Sequence, residues 1–326
     1  METSKDESMM KKAIKYVLVT LAALMIVALL GGSYLVDYAL SPDNRGKDIE
    51  GSYTYMYEEY PRLRPFVDSL QQTGALRDTF ILATDGTRLH GYYAAAPQPT
   101  ANTALIIHGY TDNAVRMLMI GQLYNEGLKY NIILPDLRYS GLSEGDHLQM
   151  GWNDRQDMKR WIDVAGNLYG DSLRLIVHGI SMGAATTMML SGDTLPPQVK
   201  CFVADCGYTS VWDEFENELK SSFNLPAFPL LHLSNWICRL RYGWDFREAS
   251  ALRQVTRCTR PMLFIHGLND EFVPTRMVHS LYEAKPFPKE IWLNESEGHA
   301  RSYHDFPEEY ATRVGHFASK KLLNVE

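Results

Sequence analysis

Apolar residues along this chain fall into two patterns. The first is a stretch without a charged residue, Tyr16–Val36. As a helix its 21 residues would span about 31 Å, close to the hydrocarbon thickness of a bilayer. The second pattern begins near residue 78. There "DTFILATDGTRLHGYYAAA" gives two apolar runs around Asp85-Gly86, a hairpin signal. Short apolar runs then alternate with helical stretches: Ala104–Ile107, Ile132–Leu134, Leu173–Val177, Phe202–Ala204, Met262–Ile265 and Ile291–Leu293. Runs of this length bounded by turn residues predict strands buried on both faces. Their alternation with helices predicts an α/β fold with a mostly parallel, doubly wound sheet and right-handed crossovers.

The polar segment 41–50 reads as a linker. Residues 51–74 are rich in Tyr, Arg and Glu and predict helix broken at Pro61 and Pro65. The strand–helix rhythm fails from Tyr208 to Ala249, which reads as a short helical cap insertion. Its Trp212, Phe215, Phe223, Phe228, Leu230, Leu231, Trp236 and Trp244 are candidates for an apolar pocket wall, about half of them reserved for packing. The resulting division is 1–15 as a cytoplasmic N-terminus, 16–36 as a transmembrane anchor, 37–77 as linker and N-terminal helices, and 78–326 as the main domain with its cap at about 208–249.

Composition narrows the class. With 45% hydrophobic and 22% charged residues in 326, the chain is globular, and a net charge of −7 argues against a nucleic-acid surface. Lys5, Lys11, Lys12 and Lys15 precede the apolar stretch, while only Arg45 and Lys47 follow within twenty residues. That asymmetry predicts a single-pass protein of the cell membrane with its main domain on the extracytoplasmic side. The competing reading is a cleaved signal peptide, for which Gly31 and Ser33 would be a poor cleavage site. Four cysteines are too few for a disulfide scaffold. Cys201 and Cys206 on one strand would lie roughly 16 Å apart and should not pair. Pairings with Cys238 and Cys258, or four free thiols, stay open. No spacing points to a metal.

Gly179-Ile180-Ser181-Met182-Gly183 follows one predicted strand and opens a helical stretch. This context fits a sharp turn that exposes a nucleophilic Ser181, with Gly179 and Gly183 allowing close approach. A serine hydroxyl needs a base and an orienting acid. In chain order these are Asp270, ending the strand "MLFIHG", and His299, on the loop after "EIWLN". Asp205 also ends a strand and is the rival acid. An oxyanion hole needs two N–H donors. Met182, after the nucleophile, and Tyr110, after Gly109 in "IIHGYTDN", are the candidates. His108 reads as a support for that loop.

The segments "HGYTDN", "PDLRYSGLSEG", "HGISMG", "ADCGYTS", "HGLNDEFVP" and "EGHA" resemble the α/β-hydrolase superfamily. The likeness is to membrane-anchored bacterial serine hydrolases, Bem46-like and serine-aminopeptidase-like esterases. It implies no metal and no organic cofactor, and a structural role for Asp136–Ser143. Ser at position 181 sets aside the carboxylate nucleophiles of dehalogenases and epoxide hydrolases. The expected reaction is acyl-bond cleavage through an acyl-enzyme, on an uncharged short-chain carboxylic ester; the partner is a small-molecule ester or short peptide. The alternatives are a peptidase or aminopeptidase, for which Glu295 or Glu297 would face the pocket to receive a free amino terminus, a thioesterase, and a non-catalytic binding protein.

Overall fold

The structure is a computed structural model describing residues 2–42 and 44–322. Its strands are β1 (Arg77–Leu82), β2 (Arg88–Ala94), β3 (Asn102–Ile107), β4 (Asn131–Pro135), β5 (Arg174–Ile180), β6 (Val199–Asp205), β7 (Met262–Gly267) and β8 (Lys289–Asn294). They form one sheet in the order β1-β2-β4-β3-β5-β6-β7-β8. β2 runs antiparallel to β1 and β4, and every other pairing is parallel. All six expected apolar runs are strands. Every residue of β3 and β7 is buried, whereas β1 and β8, at the edges, are partly exposed.

Helices cover both faces: α1 (Glu2–Leu40), α2 (Ile49–Glu59), α3 (Leu63–Gln72), α4 (Leu118–Gln122), α5 (Asp154–Tyr169), α6 (Met182–Ser191), α7 (Val211–Phe223), α8 (Leu230–Tyr242), α9 (Ala251–Val255), α10 (Arg276–Ala284), α11 (Ser302–Asp305) and α12 (Pro307–Leu322). Alternate residues of a strand point to opposite faces. Ala104 and Ile106 of β3 therefore join the core beneath α2, α3, α4 and α12. Leu105 and Ile107 join the core beneath α5, α6, α9 and α10. This two-sided burial is what makes the strands read as unbroken apolar runs. It also carries the C-terminal ends of the parallel strands to one edge, where the chemistry-bearing loops gather.

Two expectations shift. Pro61 lies in the break between α2 and α3, but Pro65 sits in the first turn of α3, where a missing N–H costs nothing. Segment 41–50 is tied to the body rather than free. Its Gly46 carbonyl accepts from Gly141 N–H at 2.7 Å and from Asn113 Nδ2 at 3.2 Å.

Helix α1 contains one span, within Met9–Leu40, long and apolar enough to cross a membrane. It does not stop at Val36. Its last turns pack on the cap, with Val36 and Leu40 buried. The missing side chain of Gly32 lets α8 come close: a Cβ there would sit 3.2 Å from Leu233 Cβ and 3.3 Å from Ser234 N. Ser234 Oγ donates to Gly32 O at 3.1 Å, and Arg241 bonds both Asp37 and Ser33. Gly31 and Ser33 thus belong to a helix–helix contact. All four cysteines are free and buried.

Candidate active site

The turn from β5 into α6 places Ser181 at the N-cap with φ 58° and ψ −119°. A non-glycine residue at such angles costs about 1–3 kcal/mol and persists only where neighbours enforce it. Ser181 N–H donates to Asp205 O at 2.8 Å, and Ser181 O accepts from Ala185 N–H at 3.0 Å. The flanking glycines are required by distance. A Cβ on Gly179 would fall 2.0 Å from Gly183 O, and one on Gly183 would fall 2.1 Å from Ile107 O. Gly109 is different: its added Cβ would meet nothing nearer than Asp112 Oδ2 at 3.3 Å, so crowding does not dictate that glycine.

His299, on the loop after β8, lies between two partners. Its Nε2 is 2.7 Å from Ser181 Oγ, and its Nδ1 is 2.7 Å from Asp270 Oδ2. Asp270 is buried on the loop after β7, and its Oδ1 accepts from Phe272 N–H at 3.1 Å and Val273 N–H at 2.9 Å. Burial alone would raise this carboxyl. Hydrogen bonds from His266 and His299 outweigh it and bring it down to about 2, so it is a fixed anion. Ionised Asp270 keeps a proton on His299 Nδ1 and leaves Nε2 free to accept from Ser181.

Asp205 has other work. Its Oδ2 accepts from Tyr310 O–H at 3.0 Å. Tyr310 is 2.9 Å from His178 Nε2, and His178 Nδ1 is 3.1 Å from Tyr124 O–H. This buried chain braces β5 and β6 beneath the turn. Burial pushes Asp205 up to about 6 and pulls His178 down to about 3. His108 likewise bridges loops, with Nδ1 2.8 Å from Gly109 O and Nε2 accepting from Leu137 N–H at 2.9 Å. Asp136 holds the neighbouring loop by accepting from Ala114 N–H, Leu142 N–H and His90. Both behave as supports.

Ser181 and His299 open onto a cleft of about 720 Å³. Gly109, Tyr110 and Met182 line it, with Met182 at the start of α6, where backbone N–H groups lack intrahelical partners. Of the eight cap residues expected as a pocket wall, only Phe215 lines this cleft. Phe223 and Leu231 line a small pocket against α1, Phe228 and Trp236 are exposed, and Trp244 is buried. The cap contributes instead Tyr208, Glu214 and Glu218, so the cleft is not simply apolar. The opposite wall is Tyr38, Ala39, Ser41 and Pro42, from the end of α1 and the segment after it. Glu295 and Glu297 are exposed and absent from it. Turning α7 by 100° per residue puts Glu214, Phe215 and Glu218 on one side, the signal that was there to be read. Among the described residues, Cys206, Asp270 and His299 hold three possible metal-ligand atoms within 4.8 Å of one another. Asp270 and His299 already spend theirs on each other and on Ser181.

The pattern of the prolyl oligopeptidase family matches residues 142–324, which include Ser181, Asp270 and His299. The chain belongs to the prolyl oligopeptidase family. Within it and around it, the uncharacterized protein YqkD of Bacillus subtilis is 31% identical over 218 residues, covering 67% of this chain and 71% of that one. The α/β hydrolase domain-containing protein WAV2 of Arabidopsis thaliana is 26% identical, covering 72% and 79%. Among solved structures, Pyrococcus furiosus esterase Pf2001 superposes with a TM-score of 0.62 at 24% identity, over 76% of this chain and 93% of that one. Pyrococcus horikoshii acylaminoacyl peptidase gives 0.54 at 20% identity, over 76% and 41%. Both likenesses show the α/β-hydrolase fold. This prolyl oligopeptidase family member is an α/β-fold serine hydrolase.

Proposed function

We propose that the protein cleaves short-chain carboxylic esters through an acyl-enzyme on Ser181. The observation that carries this reading is the unbroken Ser181–His299–Asp270 hydrogen-bonded chain, with both links at 2.7 Å, opening on the cleft. His299 Nε2 takes the Ser181 proton as Oγ attacks the ester carbonyl. The carbonyl oxygen becomes negative and accepts from the N–H groups of Met182 and Tyr110, at a helix start where negative charge is favoured. His299 then passes its proton to the leaving alkoxide. Water repeats the sequence on the acyl-enzyme and restores Ser181. Asp270 holds the imidazole in the accepting tautomer and stabilises it when it becomes charged.

Each methylene buried in the cleft adds about 0.8 kcal/mol, roughly fourfold in binding. Turnover of 4-nitrophenyl esters should therefore rise from acetate to butyrate and fall for long chains. A fluorophosphonate probe should label the wild-type chain and not Ser181→Ala. Labelling that survives in Ser181→Ala would overturn the assignment. Family membership also supports peptide-bond cleavage as the second reading, and aminoacyl anilides outpacing every ester would replace the first with it. We further propose that α1 is a retained membrane anchor with the hydrolase domain outside, which Lys11, Lys12 and Lys15 before the span support.

A further inference from the structure

Of the acids on the cleft wall, all idle in the mechanism, Glu214 is the buried and unpaired one. It sits on α7, is 3% exposed, and lines the cleft shared by Ser181 and His299. Neither carboxyl oxygen has a hydrogen-bond partner. Buried carboxyls are ordinarily paired, because desolvation without a partner disfavours them strongly. Among the described residues nothing answers this one. Glu218, one turn later, lines the same cleft, a like-charge spacing that weakens a helix.

The rest of the wall is complementary to a cation. Among the described residues no Lys or Arg lines the cleft, whereas Asp112, Glu214 and Glu218 do. Tyr38, Tyr110, Tyr208, Phe215 and Phe272 supply aromatic surface, which attracts organic cations through the ring quadrupole. The charged groups acting on Glu214 are Glu218, Asp270 and Asp213, which oppose its ionisation, and Arg276, which favours it. Arg276 is exposed, bonds Asn217 at 3.2 Å, and stands outside the cleft wall.

We propose that Glu214, backed by Glu218, forms a subsite for an organic ammonium group carried by the substrate. The idea rests on the serine-hydrolase reading for its location and specifies that reading's substrate class. A primary ammonium would donate to the idle oxygens, and a quaternary one would sit against the aromatic wall. The cation belongs either to the acyl side or to the alcohol side of the scissile bond.

Two isosteric pairs separate these sources in the full-length chain: phenylalanine methyl ester against methyl 3-phenylpropanoate, and butyrylcholine against 3,3-dimethylbutyl butyrate. The expected result is at least a tenfold higher kcat/KM for the cation in one pair. That ratio should collapse towards one in Glu214→Gln and persist in Glu216→Gln, on the exposed side of α7. Calorimetry with Ser181→Ala, with and without Glu214→Gln, reads the same preference in binding without turnover. A ratio below tenfold in both pairs, a ratio that survives Glu214→Gln, or an equal fall for both members of a pair would overturn the subsite. Cation-selective binding without hydrolysis of any ester would sustain the subsite and sink the hydrolytic mechanism instead.

Discussion

Two buried aspartates lie side by side on the active edge, Asp205 at the end of β6 and Asp270 on the loop after β7, and replacing each by asparagine separates orienting from bracing. Asp270 accepts the Nδ1 proton of His299 at 2.7 Å. An asparagine that donates to Nδ1 places the imidazole proton on Nε2, where it can no longer accept from Ser181 Oγ. A wrong tautomer of this kind typically costs about 10⁴ in kcat, or about 5.5 kcal/mol of barrier. Asp205 instead accepts from Tyr310, which an asparagine carbonyl can still do, so Asp205→Asn should hold kcat within about tenfold. Its effect belongs to stability. Folded Asp205 titrates at about 6, against an ordinary 3.8, so between those values the folded chain holds a proton that the unfolded chain has released. For this group, stability is greatest below about pH 4, declines through pH 6, and is flat above. Two pH units correspond to about 3 kcal/mol. Urea midpoints of the detergent-solubilised chain should show Asp205→Asn gaining on wild type by up to that amount between pH 4 and 7, with 4-nitrophenyl butyrate turnover assayed in parallel. Equal kcat losses in the two variants would refute the assignment of roles, and a widening loss of stability above pH 6 in Asp205→Asn would refute the linkage.

Ser181→Ala and His299→Ala should each lower kcat many thousandfold; the urea midpoint should stay nearly unchanged in Ser181→Ala and fall in His299→Ala, which strips a hydrogen bond from the buried Asp270 carboxylate. Gly183→Ala should destabilise by about 1–3 kcal/mol or more in urea unfolding, because its Cβ meets a backbone oxygen, Ile107 O, that cannot swing aside; a neutral result would mean that the turn is looser than its contacts imply. Protease added to intact spheroplasts should digest the hydrolase domain and spare a cytosolic marker, and a mature N-terminus at Tyr34 would establish cleavage instead of anchoring.

Much of the sheet was legible because burial on both faces leaves an unmixed apolar signal, as in Ala104–Ile107 and Met262–Ile265. The turn at Ser181 was legible for a related reason: two glycines around a serine, between strand and helix, meet a demand few other sequences satisfy. Asp270 and His299 followed from chain order. The cleft walls were harder. Trp212 and Phe223 share α7 with Phe215 and differ from it only in which way they face, and composition carries no orientation. Trp212, for instance, lies under the Arg247 guanidinium at 3.3 Å from its ring centroid. The wall from Tyr38 to Pro42 was invisible because the residues of α1 that pack on the cap and its exposed ones, such as Leu24 and Leu30, are equally apolar. Asp37 and Ser33, bonded to Arg241, and Gly32, close against α8, mark where the helix begins to pack on the cap.

If α1 is the anchor proposed above, the helix it shares with the cap makes it a rigid post rather than a leash. Tyr38 stands eight residues beyond Leu30, about 12 Å along the axis, and it faces the catalytic cleft. A flexible tether would let a domain sample every height and tilt above a bilayer. With α1 as that anchor, the mouth of the cleft would be set at one height and one azimuth by the same backbone hydrogen bonds that hold α1 together. Lengthening the helix by a single residue would rotate its span by 100° relative to the cap and advance it about 1.5 Å. Reach, for this hydrolase, is therefore counted in helical turns.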